Sequence, residues 1–430
     1  MRARLYRLLY SGVWWLIIPL ALCRLWWRGR KEPGYRQHIP ERLGFYRAID
    51  RAQGSLSSAY LWVHAVSVGE TRAAEPLIDM LLDSYPHHTI LLTHMTATGR
   101  ATGQVLFGDS PRVIQSFLPY DTGWMVGRFL RHFSPRLCIL METEVWPNLI
   151  AQCGRFQVPV ALVNARLSAR SLRRGKKFTT LMTEAASGIS CVGAQTSDDA
   201  ERMRELGARN VTITGNLKFD VAPSEKLIGI GRAMRQQIGA RPVLLCASTR
   251  EGEEALILAA LASLPPIDDL LLIIVPRHPQ RFEEVANLIV SYNLPMLRRS
   301  ALGSEQLGAE IKVILGDSMG EMFAYFGVSD AAFIGGSLMP LGGQNLIEAC
   351  AVGTPVLIGP HTFNFAAVTE QAIAAGAALR VSDAGMMLET AKRLLATESE
   401  RMAMGQNASN FAQLHRGATA RTVALLAGLL

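Results

Sequence analysis

Much of what would mark a familiar chemistry is missing from this 430-residue chain. It has no G-x-x-x-x-G-K-[ST] sequence, so no P-loop nucleotide hydrolase is indicated, and no G-x-G-x-x-G follows its first candidate strand, so no dinucleotide fingerprint is present. H-E-x-x-H does not occur, which argues against zincin peptidases. The six cysteines, Cys23, Cys138, Cys153, Cys191, Cys246 and Cys350, form no C-x-x-C and show no Cys/His spacing suited to zinc. Most lie in apolar runs, and buried free thiols in a reducing compartment are the simple account. There is no low-complexity tract and no internal repeat.

Net charge is also small over most of the chain. Residues 1–50 hold ten Lys/Arg and three acids, which leaves the other 380 residues near neutral although the total is +8. The basic character belongs to the N-terminus and gives little support to nucleic-acid binding by the globular part.

That N-terminus is distinctive. Residues 8–23 carry no charge, and at 1.5 Å per residue they reach roughly 24 Å, short of the ~30 Å hydrocarbon core. Trp14, Trp15, Trp26 and Trp27 are four of the seven tryptophans, a residue that favours the membrane interface. No small-x-small cleavage site follows. The expectation is an uncleaved anchor, either a tilted single span or a helix lying in the interface.

From about residue 60, β-type runs alternate with helical stretches, which predicts parallel sheets covered by helices. Candidate strands are 60–66, 89–93, 137–141, 158–163, 188–192 and 211–214. A second series is 243–247, 270–275, 295–298, 313–315, 331–334 and 355–358. The glycine- and proline-bearing join at 220–241 separates two doubly wound domains. The expected architecture is α/β, two Rossmann-like domains facing a cleft, with ligands at the carboxyl ends of the strands. The divisions are 1–50 (anchor and basic segment), 51–225, 226–400 and a final helical stretch, 401–430.

Several motifs sit at such strand ends. In His64-Ala65-Val66-Ser67-Val68-Gly69-Glu70, Glu70 falls in a helix's first turn, where the positive helix end favours a carboxylate at neutral pH and suits a general base. A purely stabilising acid at a helix start is the competing reading. Met141-Glu142-Thr143-Glu144 puts two acids where a buried strand emerges, either to orient a substrate or to brace Arg166. Residues 164–178 carry six cations and no acid, including Arg166, Arg170, Arg173 and Lys176, which suggests phosphates or an anionic membrane surface. Lys218 and Arg277 end strands of the two arrays and are candidates for holding a leaving phosphate. Ser248 opens a turn into a helix, a candidate anion site. In Gly335–Pro360, the glycine pair Gly342-Gly343 precedes Asn345, a good N-cap, and Glu348 one turn on can hold ribose hydroxyls. The alternative is an Asn345-x-x-Glu348 capping box with glycines that only make turns.

Taken together, HAVSVGE (64–70), METEVWPNLI (141–150), VNARLSARS (163–171), GNLKFD (215–220), STREGEE (248–254), VPRHPQRF (275–282), GGSLMPLGGQNLIEA (335–349) and GPHTFNF (359–365) resemble the 3-deoxy-D-manno-octulosonic acid (Kdo) transferases, lipid A glycosyltransferases of Gram-negative bacteria. The resemblance covers almost the whole chain in order. It implies a GT-B fold, with an acceptor-binding first domain, a nucleotide-sugar-binding second domain and a final helix that crosses back. It implies an inverting transfer of Kdo from CMP-Kdo to the tetraacylated disaccharide bisphosphate precursor of lipid A, at the cytoplasmic face of the inner membrane among anionic lipids. It places a general base at Glu70, a second essential acid at Glu142, and donor contacts at Lys218, Arg277, Asn345 and Glu348. No metal or other cofactor is expected. Where the family pattern has the His of G-G-H-N, this chain has Gln344. A GT-B enzyme using a UDP-sugar and a non-catalytic, membrane-tethered nucleotide-binding scaffold remain as alternatives.

Overall fold

The computed structural model describes residues 2–30, 32–46, 59–265, 267 and 269–430. The expected division at residues 50 and 51 lies outside the described residues. The chain forms two compact units, Met1–Val221 with Arg416–Leu430, and Ala222–His415.

The first unit is built on β1 (Tyr60–His64), β2 (Thr89–His94), β3 (Val113–Phe117), β4 (Leu137–Met141), β5 (Val160–Ala165), β6 (Cys191–Ala194) and β7 (Val211–Ile213). All pairings are parallel, in the order β3-β2-β1-β4-β5-β6-β7. The second holds β8 (Val243–Thr249), β9 (Leu271–Pro276), β10 (Met296–Arg298), β11 (Val313–Leu315), β12 (Ala331–Ile334), β13 (Val356–Ile358) and β14 (Ala378–Arg380), ordered β10-β11-β9-β8-β12-β13-β14. Central strands such as Leu137–Met141 and Leu271–Pro276 are buried along their whole length, because helices cover both faces of a parallel sheet. That is why they read as unbroken apolar runs rather than alternating ones.

Two strands were not expected from the sequence. β3 carries Gln115 and Ser116 at a sheet edge, and β14 is a three-residue edge strand, so neither has the apolar run that marks the interior. The strand expected at 188–192 begins later, at Cys191. Two others run on past their apolar stretches. β5 continues through Asn164 and β8 through Ser248, and each has a register shift there with a positive φ, 52° and 55°. Such irregularities re-aim side chains at strand ends, often beside functional sites.

The first sheet's order reverses between β1 and β4 and the second's between β8 and β12, with β10 and β11 also exchanged at the second sheet's edge. The loops leaving adjacent strands diverge at those reversals and open a crevice at the carboxyl edge of each sheet. Glu70 follows β1 and Glu142 follows β4. Ser248 ends β8, and the glycine-rich stretch follows β12.

The Arg2–Arg28 helix is long and apolar enough to cross a membrane by length and composition. One side of its middle is seated on the first unit. Ile18 is buried with Tyr120 and Met125, and Trp14, Ala21 and Leu22 pack around them. Ser11 Oγ accepts a 2.9 Å hydrogen bond from Asn148 Nδ2, and Arg7 lies 3.5 Å from Glu184. The opposite side exposes Leu5, Leu8, Leu9, Leu16 and Leu20. At the other terminus, the Ala418–Ala427 helix returns to the first unit and packs on the Val68–Ser84 helix, with Ala418 and Leu426 buried in that core. Asp220 fixes its start, accepting from the N–H groups of Gly417 at 2.7 Å and Thr419 at 2.6 Å.

Candidate active site

Three carboxylates and one lysine gather at the crevice of the first sheet. Glu70 lies in the first turn of the Val68–Ser84 helix, with Ser67 at its N-cap. The capping box that Ser67-x-x-Glu70 suggests is not made. Glu70 Oε2 accepts from the Val66 N–H at 2.8 Å, and Ser67 Oγ donates to Glu70 Oε1 at 2.9 Å instead of capping the helix.

The proton affinity of Glu70 differs from the sequence expectation. Its pKa is raised to about 7, first by burial and then by Glu142, with a smaller contribution from Glu144; the Val66 and Ser67 hydrogen bonds oppose the shift. A helix start is worth about 0.3–1 kcal/mol to an exposed carboxylate. Burial beside two like charges outweighs it, so Glu70 titrates near neutral pH instead of remaining a fixed anion. His64 behaves as the structural residue its apolar setting suggests. It is fully buried, Nδ1 is 2.9 Å from Thr93 Oγ1, and burial pushes its pKa down to about 3.

Glu142 leaves β4 with φ 57°, a left-handed conformation that a non-glycine residue adopts at some cost. Its Oε1 lies 3.0 Å from Lys218 Nζ, and both side chains are mostly buried. Lys218 is therefore a partner of Glu142, a pairing the sequence did not suggest, because the two lie 76 positions apart. The lysine is placed by a relay. Asn216 Oδ1 accepts from the Lys218 N–H at 3.0 Å, and Asn164 Oδ1 accepts from the Leu217 N–H at 3.1 Å. Asn164, on the irregular end of β5, is fully buried, and its Nδ2 has no hydrogen-bond partner among the described residues. It is a site residue that sequence reasoning passed over, although the Asn-Ala-Arg-Leu motif contains it.

Glu144 accepts from Trp146 Nε1 at 2.5 Å, and burial raises its pKa. Trp146 is the N-cap residue of the Pro147–Arg155 helix. Of the cationic stretch, Arg170, Arg173, Arg174 and Lys177 are exposed on or beside the Ala169–Lys176 helix, while Leu172 turns inward. Lys176 is also exposed, and its Nζ pairs with Glu205. Arg166 is half-buried, and its N–H donates to the Glu142 carbonyl at 3.3 Å.

In the second unit Ser248 lies at the end of β8, Arg277 just past β9, and Gly342, Gly343, Asn345 and Glu348 in the stretch after β12. Glycine is required at Gly335, where a Cβ would lie 2.5 Å from the Ser248 carbonyl oxygen and 2.6 Å from Thr249 Cα. The ends of β8 and β12 can approach that closely only without a side chain. Gly342 has φ 94° and faces Asn364, whose N–H donates to its carbonyl at 2.9 Å. Asn345 is not the N-cap expected of it. Leu346 holds that position, Asn345 Oδ1 accepts from the Ile347 N–H at 3.1 Å, and Asn345 Nδ2 donates to Glu348 Oε1 at 3.0 Å.

The residue that organises this crevice is one the sequence did not single out. Glu253 is fully buried and accepts four backbone N–H groups. Oε1 takes those of Ser337 and Leu338 at 2.9 and 3.0 Å, and Oε2 takes those of Gly336 and Arg250 at 2.6 and 2.9 Å. One carboxylate thus ties the β8 turn to the β12 turn. Its neighbour Glu254, also fully buried, accepts from Arg281 at 2.7 and 3.0 Å and from Thr249 Oγ1 at 2.7 Å. Among the described residues, no group of three or more His, Cys, Asp or Glu is arranged to hold a metal ion.

Two parallel, doubly wound seven-stranded sheets make up a GT-B architecture. Solved structures share the fold. A glycosyltransferase from Rickettsia africae ESF-5 superposes with a TM-score of 0.59 at 12% identity, covering 87% of this chain and 99% of that one. HepE of Anabaena, in complex with UDP, gives 0.58 at 13% identity, covering 86% and 99%. Within that class, a family model described as 3-deoxy-D-manno-octulosonic-acid transferase (kdotransferase) matches residues 37–221. The 3-deoxy-D-manno-octulosonic acid transferase of Bordetella pertussis is 47% identical over 416 residues, covering 95% of each chain, and that of Haemophilus influenzae is 38% identical over 434 residues, covering 98% of each. The chain belongs to the 3-deoxy-D-manno-octulosonic acid transferase family.

Proposed function

We propose that this protein transfers Kdo from CMP-Kdo to a sugar hydroxyl of the bisphosphorylated, tetraacylated lipid A precursor, with inversion at the anomeric carbon. The observation that carries this reading is Glu70, a carboxyl at the switch point whose pKa is raised to about 7, beside the Glu142–Lys218 pair. A base with that affinity matches a neutral working pH. Glu70 takes the acceptor hydroxyl's proton as the oxygen bonds to the anomeric carbon. The bond from that carbon to the CMP phosphate oxygen breaks, and its electron pair leaves with CMP. Lys218, held by Glu142, and Arg277 supply positive charge for the departing phosphate. Ser248, Gly342, Gly343, Asn345 and Glu348 line the proposed nucleotide-sugar crevice of the second unit, which Glu253 keeps in shape.

The exposed Arg170, Arg173, Arg174 and Lys177, with exposed Phe178 beside them, suit the acceptor's phosphates and an anionic lipid surface. Arg166 is placed at the inner end of the same stretch. The N-terminal helix anchors the enzyme at the cytoplasmic face of the inner membrane. Because Ser11, Trp14 and Ile18 are seated on the first unit, a helix lying in the interface fits better than one crossing the bilayer. Reversing two of these charges together (Arg170→Glu with Arg173→Glu) is expected to weaken binding to anionic vesicles by about thirtyfold or more, at about 1 kcal/mol per cation lost near the surface. Sedimentation with vesicles measures this, and unchanged binding would remove the patch from the acceptor side.

The direct test is a transfer assay with preformed CMP-Kdo and the lipid A precursor, read by mass spectrometry. The product is expected to gain the mass of one or more Kdo units. EDTA added after CMP-Kdo has formed is expected to leave the reaction running. CMP is expected to compete where UDP does not. A folded sample that binds UDP and leaves the acceptor unchanged would overturn the assignment in favour of a UDP-sugar enzyme.

The acid limb of the pH profile follows from Glu70. Only the deprotonated form can accept a proton, so kcat/KM is expected to rise with pH through about 7 and then level. A profile already flat at pH 5.5 would contradict the raised proton affinity of Glu70.

A further inference from the structure

We propose that Trp146 is a positioning residue through which the N-terminal helix holds the acid-bearing turn at 142–146 against Glu70, so that a docked helix is part of the working active site. The inference rests on the reading of Glu70 as the base.

The contacts run from the helix to the turn that carries Glu142 and Glu144. Trp14 stacks on Trp146 with ring centroids 6.2 Å apart and planes 22° apart, and lies tilted by 31° against Tyr120 at 5.7 Å. On its other side, Trp146 donates Nε1–H to Glu144. Glu144 in turn acts electrostatically on Glu70, as does Glu142 on the same turn. One residue beyond Pro147, Asn148 closes a second link. Its Nδ2 donates to Ser11 Oγ at 2.9 Å and to the Asp121 carbonyl at 2.6 Å, while the N–H groups of Asn148 and Leu149 donate to the Asp121 carboxylate at 3.1 and 2.7 Å. The helix thus grips both the turn and the start of the Pro147–Arg155 helix behind it.

The turn has reason to need support. Glu142 carries the positive φ, and two carboxylates lie near a third with one lysine ion-paired among them. Like charges gathered under partial burial repel one another and attract water. A flat indole over Trp146 excludes water from that side, and the indole N–H keeps Glu144 aimed. The exposed apolar side of the helix leaves its opposite side for this role. A membrane that takes up Leu8, Leu16 and Leu20 would at the same time steady Trp14 on Trp146. Catalytic competence and membrane attachment would then share one element.

The test uses the full-length enzyme in one fixed detergent or vesicle preparation, with Trp14→Ala, Trp14→Phe and Trp146→Phe. The readouts are kcat, KM for CMP-Kdo and the position of the acid limb. Trp14→Ala uncovers the turn and lets water in. Burial is the largest cause of the raised affinity of Glu70, so the limb is expected to move down by about one pH unit. We expect kcat to fall about tenfold as the turn loosens, with KM for CMP-Kdo rising only as far as the Glu142–Lys218 pair is disturbed. Trp14→Phe keeps a ring on Trp146 and is expected to restore the wild-type limb. Trp146→Phe keeps the stack but removes the donor. Glu144 then holds its proton to higher pH, repels Glu70 less, and the limb again moves down. A purely structural defect would lower the amount of folded enzyme and leave the limb in place. An unshifted limb in both Trp14→Ala and Trp146→Phe, with Glu70→Gln inactive, would overturn the positioning role and leave the base assignment standing. Full activity in folded Glu70→Gln would overturn both, and that result is read in its own variant.

Discussion

Glu70→Gln is expected to lower kcat by about 10²–10⁴ while CMP-Kdo binding stays within about twofold. The amide cannot accept the hydroxyl proton but has nearly the same size and keeps one oxygen for the Val66 or Ser67 hydrogen bond. The same substitution has a second, independent signature in stability. The folded state raises the Glu70 pKa from 4.5 to about 7, so between those values it binds its proton more tightly than the unfolded chain does. The wild-type contribution of this group is complete below about 4.5 and declines as pH rises to about 7, above which it is level. Glutamine cannot ionise, so the variant lacks that decline. Thermal melts from pH 5 to 8 are expected to show the variant gaining on the wild type as pH rises, whatever offset the altered hydrogen bonds impose. Normal turnover would remove Glu70 from the mechanism, and parallel melts would contradict the raised proton affinity.

Glu253→Ala is expected to be the most destabilising single change in the second unit, by about 3–5 kcal/mol. It leaves the N–H groups of Arg250, Gly336, Ser337 and Leu338 without the carboxylate that now accepts all four. The melting temperature is expected to fall by roughly 10 °C, taking 2–4 °C per kcal/mol for a unit of this size. Glu253→Gln separates chemistry from volume. One amide oxygen can still serve Ser337 and Leu338, but an NH₂ group would then face the N–H groups of Gly336 and Arg250. An intermediate loss of stability with a raised KM for CMP-Kdo is the expected outcome. Melts matching the wild type for both variants would show that the two turns hold together without this carboxylate.

The repeating strand–helix order, the two sheets and most of their strands were legible in the sequence, because strands buried on both faces of a parallel sheet appear as uninterrupted apolar runs. The edge strands β3 and β14 were not, since an edge tolerates polar and small residues such as Gln115 and Ala378. Motifs at strand ends marked Glu70, Glu142, Lys218 and the glycine-rich turn, because a short polar run after a buried strand is visible locally. What those groups do to one another was not visible. The charge state of Glu70 follows from burial and from two carboxylates 72 and 74 positions away in the chain, and only the placement of β1 beside β4 brings them near. Lys218 meets Glu142, Lys176 pairs with Glu205, and Glu253 collects N–H groups from a turn more than 80 positions on, all by tertiary contact. The sequence by itself determined the class of fold, the family and the strand ends where chemistry sits, since these depend on local pattern and order. Only the tertiary structure decided the partners, the proton affinities and the seating of Trp14 on Trp146, because each depends on which distant groups share a desolvated space.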